Sequence, residues 1–143
     1  MEKYLLWSTL TGILALAFAY YLAIGISKAD PGNARMQEIA GYIHEGAMAF
    51  LYREYRYLAI FIVVVFGVLA MLINWQTAVC FLAGALCSIM AGYFGMQVAT
   101  KANVRTAAAA QHGISPALKI AFSGGSVMGM SVAGLGMLGL GTF

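Results

Sequence analysis

The sequence predicts an all-α membrane protein: four transmembrane helices with a cytoplasmic amphipathic helix, as part of a larger multi-helix bundle. The composition indicates this class, because 62% of the 143 residues are hydrophobic and only 9% are charged, against about 25% charged residues in soluble domains. Four runs of the chain approach or reach the roughly 20 apolar residues that a membrane helix needs. Every charged residue except Glu2 and Lys3 lies between those runs, in the segments 28–56 and 100–119.

The first apolar run, residues 5–26, is predicted to be a retained transmembrane span. It is too long for the apolar part of a usual signal peptide, and no small-x-small cleavage site ends it before Lys28. The Asp-Pro-Gly-Asn sequence at 30–33 follows. That sequence is typical of a turn from which a helix starts.

Residues 36–57 are predicted to form the cytoplasmic amphipathic helix, which either stands alone or continues into the second span. At about 100° per residue its apolar and polar side chains separate onto two faces. The apolar face comprises Met36, Ile39, Ala40, Ile43, Ala47, Phe50 and Leu51, and the polar face comprises Glu38, Glu45, Tyr52 and Arg56. We interpret the charges as a solvated face and His44 as a surface or packing residue. The alternative is that Glu38 and Glu45 help hold Mg²⁺ or line a polar vestibule. The two carboxylates would lie about 10 Å apart, too far to share one ion unaided.

The second and third spans are predicted at residues 57–73 and 78–99, joined by a short uncharged turn at 74–77. A buried strand is the alternative for the β-branched second run, but its length and lack of alternation favour a helix. Cys80 and Cys87 lie about 10 Å apart along the third span, which is too far for a disulfide. They are interpreted as small buried hydrophobic residues.

The fourth span, residues 120–143, is rich in glycine. Gly134, Gly136 and Gly139 spell GxGxxG, but neither the preceding strand nor the following acidic residue of a dinucleotide site is present. Small residues spaced by four instead predict close helix packing in lipid. One stripe comprises Gly125, Gly129 and Ala133, and the other comprises Gly84, Ser88 and Gly92. On this hypothesis Gly129→Leu would push the last span away from its partner.

The distribution of basic residues predicts the topology. Between the first two spans lie Lys28, Arg35, Arg53 and Arg56, and between the last two lie Lys101, Arg105 and Lys119. The positive-inside rule therefore places segments 28–56 and 100–119 in the cytoplasm and the N-terminus outside. Basic residues this few and scattered argue against a nucleic-acid partner.

The spans contain no group that could carry transport or covalent chemistry. An ion pump needs an ionisable side chain within the bilayer, yet the cores of all four predicted spans lack Asp, Glu, Lys, Arg and His. That absence argues against a rotor-ring proteolipid and against a small four-span drug exporter. The serines of the last span also have no histidine within the same span. We therefore predict no catalytic, cofactor-binding or metal-binding residue in this chain.

Three blocks of sequence resemble the membrane-integral pyrophosphatases, the pyrophosphate-energised proton or sodium pumps. They are GNARMQEIAGYIHEGAMAFLYREYRYLAIF (32–61), GYFGMQVATKANVRTAAAAQ (92–111) and SPALKIAFSGGSVMGMSVAGLGMLGL (115–140). The resemblance covers nearly the whole chain after the first span, and about the first fifth of a usual family member. His44 and Glu54 stand where the family pattern usually has glutamine, and Ser123 stands where arginine is frequent.

The resemblance implies a homodimer in which an inner ring of six helices is surrounded by an outer ring. In such proteins Mg²⁺-pyrophosphate enters a cytoplasmic funnel of aspartates and lysines in the inner ring, and hydrolysis is coupled to outward movement of H⁺ or Na⁺. The four helices of this chain would belong to the outer ring, and the family's Asp- and Lys-rich substrate motif has no counterpart in the sequence. We therefore expect the chain alone to be inactive.

Two alternative hypotheses about the class of protein stay open. One is a non-enzymatic four-helix membrane scaffold or subunit of the same ancestry, and the other is half of a small dimerising transporter. The last span runs to Phe143 with no polar segment after it, which suggests a truncated member of the family. The prokaryotic inner membrane is the expected location, with lipid as the surrounding partner.

Overall fold

A computed structural model of the chain describes residues 2–142, which fold into four α-helices. They are α1 (Glu2–Lys28), α2 (Ala34–Leu72), α3 (Trp75–Ala110) and α4 (Ile114–Thr142). Each of the four is long and apolar enough to cross a membrane. The predicted all-α membrane class with four spanning helices is therefore confirmed.

Local capping explains where the helices begin. The side chain of Asn33 accepts a hydrogen bond of 2.9 Å from the Met36 amide at the start of α2, and Asn74 does the same for Thr77 at 2.7 Å at the start of α3. Gly32, with φ +80°, supplies the left-handed residue that the predicted turn at 30–33 requires. The helix start predicted after that turn is thus confirmed.

Two predicted connections are mostly helix. The amphipathic segment and the second span form one continuous helix, α2, of 39 residues, so the continuous alternative is correct. The segment 100–119, predicted as a loop, is helical except at residues 111–113. Between α2 and α3 the chain leaves helical structure only at Ile73 and Asn74. The spans 57–73, 78–99, 5–26 and 120–143 stay predictions for the part of each helix that lies in the bilayer.

The helices lie side by side in the order α2, α3, α4, α1. Neighbours in this row are antiparallel and pack along their lengths, and α1 also meets α3. Within residues 2–142, α2 contacts α3 alone. The turns at 29–33 and 111–113 lie at the same end of the row, which we call the basic end because of its lysines and arginines.

The tightest packing joins α1 to α4, with α3 alongside. Ala19, Ile26, Ala102 and Val127 form a buried cluster that Leu22, Ala23, Val98 and Ile120 extend. A Cβ added to Gly12 would lie 2.8 Å from the carbonyl oxygen of Gly134, and a Cβ on Gly134 would lie 3.0 Å from that of Gly12. Both glycines are therefore required where the two helix backbones meet.

The small-residue stripes predicted from the sequence are largely wrong for contacts within this chain. A Cβ on Gly84, Gly125 or Gly129 would meet nothing within 4 Å. The residues in contact are one position away on α4, where a Cβ on Gly124 would lie 2.8 Å from the Cβ of Ala102. Spacing by four identified the kind of contact, but it could not select which of several glycine rows faces the neighbouring helix.

The packing register displaces the second predicted span relative to the others. Ile26 and Ile120 pack on the same cluster, so the inner ends of the first and fourth predicted spans are level. In α2, by contrast, the Tyr55 hydroxyl donates a hydrogen bond to the carbonyl of Ile89 in α3. This contact places the charged residues of the segment 53–56 beside the middle of predicted span three.

Candidate functional site

The polar face predicted on α2 is exposed. The carboxylate of Glu38 forms an ion pair of 2.8 Å with Arg35 and accepts a hydrogen bond of 3.2 Å from Tyr42. Glu45 and Glu54 are also exposed, and Arg56 lies 5.2 Å from the ring centroid of Tyr52. These side chains stand along the outside of α2 rather than converging, which agrees with a solvated face.

Polar contacts hold α2 against α3 on one side of its apolar face. His44 is half-buried, and its Nδ1 lies 3.1 Å from Oγ1 of Thr100, a residue that is only 8% exposed. The phenol of Tyr55 donates a hydrogen bond of 2.9 Å to the carbonyl of Ile89. The face that meets α3 is therefore rotated from the predicted apolar face, and Ile39, Ile43 and Phe50 stay exposed on its other flank.

The pair of His44 and Thr100 brings together a base and a hydroxyl group, but its surroundings favour a structural role. The Thr100 hydroxyl also lies 3.1 Å from each of the carbonyl oxygens of Met96 and Gln97 in its own helix. A nucleophile needs a base that a third group orients, and an exposed path to substrate. This contact is not evident from the sequence, because residues 56 positions apart share no local pattern.

Arg105 fastens the end of α1 to α3. Its guanidinium donates hydrogen bonds of 3.2 Å and 3.4 Å to the carbonyl oxygens of Ala29 and Ser27. A third bond, of 3.0 Å, goes to the Lys101 carbonyl in α3 itself. The last carbonyls of a helix lack partners within the helix and carry negative partial charge. Arg105, predicted only as a topology marker, thus caps the C-terminal end of α1.

Three of the grooves between the described helices stand out by their volume. One of about 450 Å³ lies between α2 and α4 across α3, and its lining includes Thr100, Asn103 and Thr106. A second of about 440 Å³ lies between α3 and α4 and includes both cysteines. Cys80 is exposed and Cys87 half-buried, so the expected burial of both thiols is wrong within these residues. The third, between α1 and α3, extends from the basic end.

The described residues offer no assembled centre for metal or covalent chemistry. Across residues 2–142, no group of three or more His, Cys, Asp or Glu side chains is placed to hold a metal ion. Mg²⁺ prefers octahedral oxygen ligands at about 2.1 Å, and the exposed, separated carboxylates of α2 do not fit it. What the arrangement can do is build a wall of helices with grooves for neighbouring molecules.

The sequence matches a family model over most of its length. Residues 13–143 match the model described as "Inorganic H+ pyrophosphatase". The matched range contains the whole of α2, α3 and α4, together with more than half of α1.

Individual relatives agree with that match. The chain is 62% identical over 130 residues to a Clostridium tetani protein named "Putative K(+)-stimulated pyrophosphate-energized sodium pump", covering 91% of the chain and 19% of the relative. It is 45% identical over 141 residues to a Methanosarcina mazei K⁺-insensitive pyrophosphate-energised proton pump, covering 97% and 21%. A Thermotoga maritima K⁺-stimulated pyrophosphate-energised sodium pump is 47% identical over 132 residues, covering 90% and 18%. The chain thus spans about a fifth of the length of these relatives.

Proposed function

The chain belongs to the inorganic H⁺ pyrophosphatase family, and on that premise we propose that its four helices form part of the outer wall of a pyrophosphate-energised ion pump. The complete pump would hydrolyse inorganic pyrophosphate and move H⁺ or Na⁺ across the membrane. Relatives named as proton pumps and as sodium pumps both match, so the proposal covers either ion.

The family match carries the proposal, and the side chains indicate which part of the pump these helices form. Pyrophosphate hydrolysis needs cations to neutralise phosphate charge and a carboxylate to orient water. Outward ion movement needs an ionisable group inside the bilayer. In the described residues the carboxylates of α2 face outward, and α3 and α4 carry no Asp or Glu. These helices therefore suit a supporting wall, with the reacting groups housed elsewhere in the pump.

Magnesium enters the proposal only through the family resemblance. The pump would use Mg²⁺ to neutralise the charge of pyrophosphate, but the described residues do not form a site for it. We therefore assign no ligand and no reaction step to this chain. Its contribution would be to hold and orient neighbouring helices.

A segment exchange tests the proposal. The 143-residue chain replaces the matched segment of the Clostridium tetani relative, and the chimera is reconstituted in vesicles. Because 62% of the aligned residues are identical, we expect Mg²⁺-dependent pyrophosphate hydrolysis and cation uptake within about threefold of the parent, since ΔΔG‡ would stay below about 0.7 kcal/mol. Both activities are measured on the same vesicles.

The control is the chain alone at the same protein density, which should show neither activity. Hydrolysis by the isolated chain would overturn the assignment of the reacting groups to other helices. A chimera that assembles as the parent does but neither hydrolyses nor pumps would contradict the wall function itself.

We propose in addition that the basic end faces the cytoplasm and that the N-terminus lies outside. Arginines and lysines are concentrated near the turns 29–33 and 111–113, whereas the turn at 73–74 carries no charge. Single cysteines at Gln111 and Asn74, in a variant with Cys80 and Cys87 changed to Ala, test this topology. An impermeant maleimide added outside intact cells should label position 74 and spare 111. The reverse pattern would invert the assignment.

The pump is also proposed to be a homodimer, as the family resemblance implies. Chemical cross-linking of the chimera in its native membrane should give a species of twice the subunit mass. Two differently tagged copies expressed together should co-purify, and failure of both measurements would remove the dimer from the proposal.

A further inference from the structure

A continuous groove runs between α1 and α3 from the basic end into the apolar part of the row. Its upper part is a cavity of about 350 Å³ whose lining includes Lys28, Lys101, Tyr20, Ala23 and Val98. Its lower part is a second cavity of about 350 Å³ that shares Tyr20, Ala23 and Val98 with the first. The floor of the lower part is formed by α4, with Val127 and Leu135. We call the two parts together the α1/α3 groove.

The mouth of the groove is positively charged. Lys28 ends α1 and Lys101 lies in α3, and both side chains are exposed. Among the described side chains the ion pair within 4 Å joins Arg35 to Glu38 on α2, so neither lysine is paired with a carboxylate there. The nearest carboxylate in sequence is that of Asp30, which is exposed in the turn after Lys28 and is not part of the groove lining. The neighbouring Arg105 donates its hydrogen bonds to carbonyl oxygens, and it also offsets the negative end of the α1 dipole, which would otherwise disfavour an anion.

The position and length of the groove match one leaflet of a bilayer. Lys28 and Lys101 each lie two residues beyond the predicted inner ends of their spans, at 26 and 99. Ile26 belongs to the buried cluster against which Ile120 packs, so the predicted inner ends of the first and fourth spans lie at about the same level. From Lys28 down to Leu16 the groove covers roughly 18 Å of helix, close to the half-thickness of about 15 Å of a hydrocarbon core.

We propose that the α1/α3 groove binds an anionic phospholipid of the leaflet at the basic end. Its phosphate lies between the Lys28 and Lys101 ammonium groups, and one acyl chain lies along Ala23 and Val98 into the lower cavity. Basic pockets between transmembrane helices on the cytoplasmic side are suited to such headgroups, and that leaflet is the anionic one. The proposal requires that α1, α3 and α4 span the membrane and rests on the proposed orientation of the basic end toward the cytoplasm, but it is independent of pyrophosphate hydrolysis.

The charge at the mouth favours a lipid over a further protein helix. A helix docked along the whole groove would cover two lysines, and burying a charge without a partner is costly. A phospholipid supplies the partner charge and the apolar chain in one molecule. A free phosphate ion would use the two lysines alone and leave the lower cavity without an occupant, so the shape favours the lipid source of the anion.

Native mass spectrometry of the full chain, purified in mild detergent, tests the preference. Phosphatidylglycerol and phosphatidylcholine with identical acyl chains are supplied in equal amounts. A basic residue near anionic lipid contributes about fivefold in binding, so the wild type should retain phosphatidylglycerol roughly 25-fold over phosphatidylcholine. The variant Lys28→Gln/Lys101→Gln should lose nearly all of that ratio. Millimolar inorganic phosphate should not displace the bound lipid.

The matched control removes two positive charges from the same molecule outside the groove. Arg53→Gln/Lys119→Gln leaves the groove lining intact, and Lys119 lies beside Ile120 at the level of the groove mouth. The control should keep at least half of the wild-type preference. If both variants lose the same share of the preference for phosphatidylglycerol, the preference comes from general charge attraction and the site is overturned. The site is also overturned if the wild type shows no preference, or if free phosphate displaces the bound lipid.

Photochemical cross-linking identifies the occupant in the native membrane. Tyr20 lines both parts of the groove and is 71% exposed, so a photoreactive benzoylphenylalanine at this position should be tolerated. Irradiation should attach phospholipid to the chain, and the Lys28→Gln/Lys101→Gln background should lower the yield at least fivefold. Cross-links to peptide in place of lipid would show that a helix fills the groove and would overturn the proposal.

Discussion

The pair formed by α1 and α4 and the pair formed by α2 and α3 are held together by different means. Where α1 crosses α4, Gly12 and Gly134 bring the backbones so close that a Cβ on either would collide with the other's carbonyl oxygen. Where α2 runs along α3, the Tyr55 phenol bonds to Ile89, and His44 approaches Thr100. The α1–α4 contact depends on the absence of a side chain at its glycines, whereas the α2–α3 contact depends on side chains that form polar contacts across the interface.

This difference follows from the solvent that each pair is expected to meet. In hydrocarbon, helices associate through close van der Waals contact, and small residues allow it. The α2 segment before residue 57 is predicted to be amphipathic, and its charged side chains are exposed. If that segment lies in water, polar side chains there can form contacts with α3 without having to be inserted into hydrocarbon. The α1–α4 pair should therefore be sensitive to added volume, and the α2–α3 pair to lost polar groups.

The largest effect is expected from volume added between α1 and α4. Gly134→Leu would force a side chain against the Gly12 carbonyl and Leu16, which a Cβ alone would approach to 2.9 Å. Overpacking of this kind costs about 2–3 kcal/mol. We expect a clearly lower melting temperature in detergent. The melting is measured by the loss of the helical circular dichroism signal on heating.

Gly129→Leu is the matched control on the same helix. A Cβ at Gly129 meets nothing within 4 Å, so the variant should lose less than about 0.5 kcal/mol. Similar losses for the two variants would mean that the observed α1–α4 contact does not distinguish the two glycines.

An intermediate effect is expected where volume and a polar contact meet on α3. A Cβ on Gly92 would lie 3.1 Å from the Tyr55 hydroxyl oxygen, so Gly92→Ala should destabilise the chain by about 0.5–1 kcal/mol. In the Tyr55→Phe background that clash is absent, and the same change should stabilise by a similar amount because alanine favours helix. A double-mutant cycle measures the coupling. A coupling energy of zero would show that position 92 and the Tyr55 hydroxyl do not interact.

The smallest effect is expected from the contact between His44 and Thr100. Thr100→Val removes the hydroxyl that His44 meets, and side-chain hydrogen bonds between membrane helices average about 0.6 kcal/mol. Thr106→Val is the control, because within residues 2–142 the Thr106 hydroxyl donates its hydrogen bond to the Ala102 carbonyl of its own helix. Thermal melting should separate the two variants by about 0.5 kcal/mol. His44→Gln should keep most of the stability, because the glutamine amide can either donate a hydrogen bond to the Thr100 hydroxyl or accept one from it.

Particular residues show how far sequence reasoning reaches in this molecule. The turn at 30–33 and the α2 start were predicted because Asn33 and Gly32 act through local geometry, and both are present in the structure. Apart from Gly92, the contacting glycines were not predicted correctly, because α4 presents several rows of small residues and only its partner selects one. The Arg105 contact with α1 spans 76 residues of sequence, and no local pattern indicates it.

The sequence by itself determined the membrane class, the four apolar spans and the family, because hydropathy and motif content are sums over neighbouring residues. Only the tertiary structure decided which glycines touch, how far α2 is displaced along α3, and that Lys28 and Lys101 flank one groove. Each of these depends on the rotation and register of one helix against another. Those are set by contacts between residues far apart in the chain, and such contacts leave no periodic signal in either helix.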